Sequence, residues 1–151
     1  MGTIGIIGAM EVEVKELKEQ MQITRQLTKA GMEFCEGILE GQDVVVVRSG
    51  VGKVNAAVCS QTMILKYSPD IMINVGVAGG LSEEFKIGDI AVADSVVEHD
   101  MDTSPIGDPV GLISGINLVN IPCDKKLADL MEQAVSKVGT ITSKRGWMPP
   151  P

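Results

Sequence analysis

Aromatic side chains are scarce in this sequence: two Phe, one Tyr and one Trp among 151 residues, 3% of the chain. A core built here must rest on Val, Ile, Leu, Met and Ala. Histidine occurs once, at His99, which leaves little material for a histidine-based metal site or proton relay. The three cysteines, Cys35, Cys59 and Cys123, are odd in number and lack C-x-x-C spacing. Neither a disulfide framework nor a zinc site is expected, and a reduced, cytoplasmic setting is. Positive charge is in deficit, with 13 Lys and Arg against 20 Asp and Glu for a net charge of −7. Such a surface repels a phosphate backbone and argues against a nucleic-acid binder. No apolar run approaches the ~18 residues of a membrane span. The first residues lack the basic flank and apolar stretch of a secretory signal.

What is present is ordinary for a soluble globular protein, with 44% hydrophobic and 22% charged residues. A chain of this length forms one domain and buries roughly 68–70% of its unfolded surface. Residues 3–8 (TIGIIG) read as a buried strand. Residues 11–21 (EVEVKELKEQM) read as an amphipathic helix with Val14, Leu17 and Met21 on one face. Two further strands, 32–39 and 43–48, flank Glu40-Gly41-Gln42 at hairpin distance. The run Val44–Val47 shows no polar alternation, so both faces of that strand are expected to be covered. A helix over 53–67 stops at Ser68-Pro69, and 71–80 (IMINVGVAGG) is a strand running into a glycine turn. Residues 89–94 and 95–100 look strand-like. The segment 101–117, with Pro105, Pro109 and several glycines, is a long ordered loop whose Ile106, Val110, Leu112 and Ile113 call for burial. A last helix, 124–138, starts at Asp124, a good N-cap, and GTITS (139–143) opens another strand. The expected architecture is α/β, a mixed central sheet flanked by helices. The domain is expected to occupy 1–143, with an atypical tail over 144–151 that leaves the sheet unfinished.

The chemistry gathers at glycine turns. The first, GIIGAMEVEV, has Gly5-x-x-Gly8 where a dinucleotide fingerprint needs G-x-G-x-x-G. In the second, Gly52-Lys53 is followed by Val54 and position 47 is Val, so no P-loop is formed. The first turn carries Glu11 and Glu13 at the start of a helix. They either complement the helix dipole or place a carboxylate beyond the carboxyl end of the preceding strand, where ligands bind in open α/β sheets. Residues two apart on a helix point about 200° apart, so the pair cannot share one site. The turn NVGVAGGL, with Gly76, Gly79 and Gly80, is either a tight turn or a place where backbone approaches a flat ligand. His99 is a structural hydrogen-bonder or a catalyst. A metal on His99, Asp100 and Asp102 is weakly supported, because successive side chains on a strand splay apart.

Taken in order, IGIIGAMEVEV, RSGVGKVNAA, PDIMINVGVAGGL and KIGDIAVADSVVEHDMD closely resemble the bacterial 5′-methylthioadenosine/S-adenosylhomocysteine nucleosidases of the nucleoside phosphorylase fold superfamily. The resemblance covers about residues 3–140. It implies hydrolysis of an adenine N-glycosidic bond through an oxocarbenium-like transition state, with no metal and no organic cofactor. It implies that a carboxylate at Glu13 holds the attacking water and that Met10 lies against the ribose. Val51 would sit near the ribose and that water, and Val77, Ala78 and Gly79 would line ribose and purine. The 101–117 loop corresponds to one that crosses a homodimer interface, so Ile106 would close the alkylthio pocket of the partner subunit. Phosphorylases of the superfamily carry an arginine in the first turn and R-x-G-[ST] in the turn that matches residues 74–77. Here those turns read Glu11 to Glu13 and Asn74-Val75-Gly76-Val77, which favours water over phosphate.

This sequence departs from the family pattern at two places. Val77 stands where many members have Ser. After GTITS the family continues into S-G-D-x-F-I, a ribose-binding Glu and an Asp that acts as general acid through purine N7, whereas here KRGWMPPP follows Ser143. A truncated, frame-shifted or fragmentary chain is expected, with weak or no turnover by itself, since loss of a general acid alone costs about 10²–10⁴-fold. Alternatives are hydrolysis of a related nucleoside such as futalosine, and a non-catalytic chain that dimerises or binds nucleosides.

Overall fold

A computed structural model describes residues 2–81, 83, 85–138 and 143–145. The chain falls into two compact units, 1–78 and 79–151.

The first unit is a five-stranded mixed sheet with helices on both faces. Its elements are β1 (Ile4–Gly8), α1 (Glu11–Gln20), β2 (Gln22–Lys29), β3 (Met32–Leu39), β4 (Gln42–Arg48), α2 (Lys53–Tyr67) and β5 (Ile71–Asn74). Spatial order is β2-β3-β4-β1-β5, with β1 parallel to both β4 and β5 and β2-β3-β4 antiparallel. Two tight turns build the antiparallel half. Leu39 pairs with Gln42 across Glu40-Gly41 (φ 49° and 77°), and Lys29 with Met32 across Ala30-Gly31 (φ 50° and 75°). Paired positive φ values match the twist of the flanking strands, which is why two-residue hairpin loops adopt them.

The valine run does what its lack of alternation implies. Val45 and Val47 pack with Ile7, Phe34 and, from α2, Cys59 and Met63. Val44 and Val46 pack on the other face with Ile6, Cys35, Val14 of α1 and Met21. Each buried valine contributes about 1.5–3 kcal/mol of transfer free energy, so this strand anchors both layers. The Phe34 ring lies 5.6 Å from that of Tyr67, centroid to centroid. β2 was not expected. Its residues are exposed except the half-buried Leu27, so no apolar face announces it, and pairing with β3 holds it.

The second unit is sparser. β6 (Ile90–Val92) pairs in parallel with β9 (Ser143–Arg145), and β7 (Ser95–Val96) pairs antiparallel with β8 (Ile121–Pro122). The two strands expected over 89–94 and 95–100 therefore exist but are short. Of the strand expected at 139–143, only Ser143 lies within the described residues, and 146–151 of the tail lie outside them. The 101–117 segment is ordered around a 3₁₀ turn, Ser104–Ile106, and the pair Ile113–Leu118. Within it Leu112 and Ile113 are half-buried, but Ile106 is 81% and Val110 50% exposed. The described residues do not supply the burial expected of those two. α3 (Lys125–Val138) begins as expected: Leu127 N–H donates to Asp124 Oδ1 at 3.0 Å. Its Ala128 and Val135, two turns apart, are buried. Among the described residues no helix is long and apolar enough to cross a membrane.

Candidate active site

Three parallel strands, β4, β1 and β5, end side by side, and their exits are tied together by backbone. Ser49 N–H donates to the Gly8 carbonyl at 2.8 Å, Gly50 N–H to Ala9 at 3.1 Å, and Val75 N–H to Ile7 at 2.9 Å. Ser49, which the sequence did not single out, is the buried polar residue of this edge, and its Oγ lies 2.9 Å from the Gly50 carbonyl and 3.3 Å from that of Gly8. The signal was available: a serine two residues past four buried valines, at the exit of that strand, has to satisfy its hydroxyl locally. The following loop is shaped by Gly50 and Gly52 (φ 86° and 103°) and by Asn55 Nδ2 donating to the Val51 carbonyl at 2.8 Å.

Glu13 sits at the third helical position of α1, with Met10 as the N-cap residue in extended conformation (φ −119°, ψ 154°). Its carboxylate takes two backbone donors from separate segments. Met10 N–H donates to Oε2 at 2.8 Å, and Val77 N–H donates to Oε1 at 3.0 Å. The first is half of a capping box. The second reaches across to the turn after β5. Together they favour the ionised form, so the Glu13 carboxyl lies below its ordinary value, the Val77 amide contributing most and the Met10 amide next. Glu11 points elsewhere, as helix phase requires. Its carboxylate meets Lys18 Nζ at 3.1 Å and Arg48 Nε at 3.7 Å. The cation at the end of β4 is thereby paired with a carboxylate.

Met10, Glu13 and Val77 are thus brought together. Val51 lies on the loop that Gly50 ties to Ala9, 70% exposed, and Val77 presents its side chain to solvent, 75% exposed. Ala78 follows as the last, exposed residue of the first unit. Gly79 and Ile106 belong to the second unit. His99 is exposed. Among the described residues no group of three His, Cys, Asp or Glu is placed to hold a metal, so His99, Asp100 and Asp102 do not assemble one. Asp102 instead accepts the Ser104 N–H at 2.9 Å and is held below the usual carboxylate range by hydrogen bonds from that residue.

A mixed sheet whose parallel strand exits carry an ionised, backbone-held carboxylate and exposed apolar side chains suits a neutral ligand that develops positive charge. The sequence pattern of the phosphorylase superfamily matches residues 3–148, and the chain belongs to that family. Within it, the chain is similar to proteins named 5′-methylthioadenosine/S-adenosylhomocysteine nucleosidase. That of Shewanella halifaxensis (strain HAW-EB4) is 43% identical over 143 residues, 95% of this chain and 62% of the relative. The fold agrees with the Colwellia psychrerythraea 34H nucleosidase solved with adenine, at TM-score 0.91 and 35% identity over 96% of this chain and 60% of that one. Futalosine hydrolase of Helicobacter pylori strain 26695 superposes at TM-score 0.86 and 30% identity, over 95% of this chain and 61% of that one. The chain spans about 60% of the length of the relatives it matches.

Proposed function

We propose that this chain carries the water-holding part of an adenine-nucleoside N-glycosidase acting on 5′-methylthioadenosine and S-adenosylhomocysteine, a hydrolase of methionine salvage. The observation that carries the reading is the Glu13 carboxylate, ionised and held from both sides by the Met10 and Val77 amides. A carboxylate offers about four lone-pair sites, more than the backbone donors at Glu13 occupy, so acceptor capacity is left for a water. A fixed negative charge there stabilises cationic character developing on a ribosyl carbon, the preorganised electrostatics that most lowers such barriers. A phosphate nucleophile would meet that same charge as repulsion, and Arg48 is engaged by Glu11. Hydrolysis is therefore favoured over phosphorolysis. Met10, Val51, Val77, Ala78 and Gly79 are proposed to line the ribose and purine, and Ile106 to serve a homodimer partner's alkylthio pocket. The exposure of Val51, Val77 and Ile106 in the single chain fits both roles. A reduced, cytoplasmic setting fits Cys35, Cys59 and Cys123, all free thiols.

Because the chain spans about 60% of its relatives' length, the 151-residue chain alone is expected to release little or no adenine. The decisive test grafts it in place of the matching part of the Shewanella halifaxensis protein and follows adenine release from methylthioadenosine. Activity is expected, falling about 10²–10⁴-fold on Glu13→Gln, the range for losing one acid–base group. A folded graft indifferent to that substitution sinks the proposal. A second reading, futalosine as substrate, is favoured by the Helicobacter pylori futalosine hydrolase structures. The same graft assayed on both nucleosides separates the two.

A further inference from the structure

We propose that Gly76 is a positioning residue for the Glu13 carboxylate: the missing side chain at 76 is what admits the carboxylate to the Val77 amide. This rests on the reading of Glu13 as the water-holding group. A Cβ placed on Gly76 would stand 2.8 Å from Glu13 Oε1, 3.1 Å from Cδ and 3.4 Å from Oε2. Non-bonded carbon atoms settle at about 3.5–4.0 Å, and real Cβ atoms essentially never come within 3.0 Å of another non-bonded heavy atom, so a methyl at 76 and the carboxylate cannot share this space.

Which of the two yields follows from what each is attached to. Gly76 is not among the glycines with positive φ, so alanine adopts its backbone without strain. The Val77 amide belongs to a turn whose start is pinned by Val75 N–H on the Ile7 carbonyl at 2.9 Å. The obstructing atoms are the tip of a rotatable glutamate side chain. The carboxylate therefore swings away and loses the Val77 donor, while the sheet and both helices stay in place. Gly8 makes the contrast. A Cβ there would lie 2.6 Å from Cγ1 of the fully buried Val14 and 3.4 Å from the Val75 carbonyl, so the strain falls on the core. Gly79 makes the opposite contrast, since a Cβ there meets nothing within 4 Å. Of the glycines in NVGVAGG, Gly76 is the one whose empty position the carboxylate uses.

Few other charges bear on Glu13. On α1 and β4, Glu11 engages Lys18 and Arg48, Lys15 pairs with Glu19, and Glu16 and Asp43 are the remaining charged residues. β1 with its turn to Met10, and residues 71–81, carry no titratable side chain. Loss of the Val77 donor thus removes the largest influence holding the carboxyl down.

The test is a ¹³C NMR titration of the glutamate carboxyls in the 151-residue chain, with Glu13→Gln assigning the resonance and Gly76→Ala as the variant. Expected is an upward move of the Glu13 midpoint into the ordinary glutamate range, together with faster exchange of the Val77 amide. Exchange protection of the Val45 and Val46 amides should not change. An unshifted Glu13 midpoint overturns the proposal, and so does a Gly76→Ala chain that unfolds or loses protection throughout the sheet. The outcome is separable from the nucleosidase reading. An inactive graft with a shifted midpoint refutes the activity alone, and an active graft with an unshifted midpoint refutes the positioning alone.

Discussion

The contact between Gly8 and Val14 fixes how closely α1 lies over the end of β1, and a double-mutant cycle can measure it. Gly8→Ala puts a methyl 2.6 Å from Val14 Cγ1, 3.2 Å from Glu13 Cβ and 3.4 Å from the Val75 carbonyl. None of these is the free tip of a long side chain, so the methyl overpacks the joint at a cost of about 1–3 kcal/mol. Val14→Ala removes two methyl groups from a residue with 0% exposure. At ~0.8 kcal/mol per methyl or methylene, plus a term for the cavity, that substitution costs about 2–3 kcal/mol. If the two sites were independent the double mutant would lose about 3–6 kcal/mol. The geometry predicts otherwise, because the alanine methyl at 8 enters the space that Val14 Cγ1 vacates. In the Val14→Ala background, Gly8→Ala should then cost less than ~1 kcal/mol, a coupling of about 1–2 kcal/mol for groups in direct contact. Native-state exchange of the Val45, Val46 and Val47 amides, buried mid-sheet, reads the opening free energy of this unit. A loss of 2 kcal/mol there is roughly a 30-fold fall in protection. Additivity within about 0.5 kcal/mol would refute the packing argument.

Two further expectations follow from the capped helices. The Glu13 carboxyl is held below its ordinary value of 4.5 by the Val77 and Met10 amides, so its ionised form stabilises the fold. That contribution is complete above about pH 4.5 and is lost as pH falls through the lower folded value. Glu13→Gln should therefore flatten the fall in stability between neutral pH and the acid range, seen as unfolding midpoints at two pH values. A variant that loses stability on acidification as steeply as the parent would count against the two-donor geometry. In α3, Asp124→Ala removes the acceptor of the Leu127 N–H and should cost about 0.5–2 kcal/mol, with Asp124→Asn retaining most of it. Helical circular dichroism followed on heating would show it, and equal loss in both variants would deny the cap.

Much of the first unit, and the start of α3 in the second, was legible because the signals are local. The alternation-free valine run, the Glu40-Gly41 turn, the helix ended by Ser68-Pro69 and the Asp124 cap each depend on neighbours within a few residues, and the structure has them all. β2 was not legible, since its exposed residues carry no periodic apolar face and its place comes from pairing with β3. The order of the four motifs pointed to the family, which the match over residues 3–148 shows. Helix phase alone could say that Glu11 and Glu13 face different ways. Which one meets Lys18 and Arg48, and which meets an amide 64 residues along the chain, depended on strand order. Only the placement of β1 between β4 and β5 brings Arg48 to one side of the helix start and Val77 to the other. The need for glycine at 76 is likewise invisible in NVGVAGG, where Gly76 and Gly79 look alike. It arises from a steric contact between two segments that a local pattern cannot record.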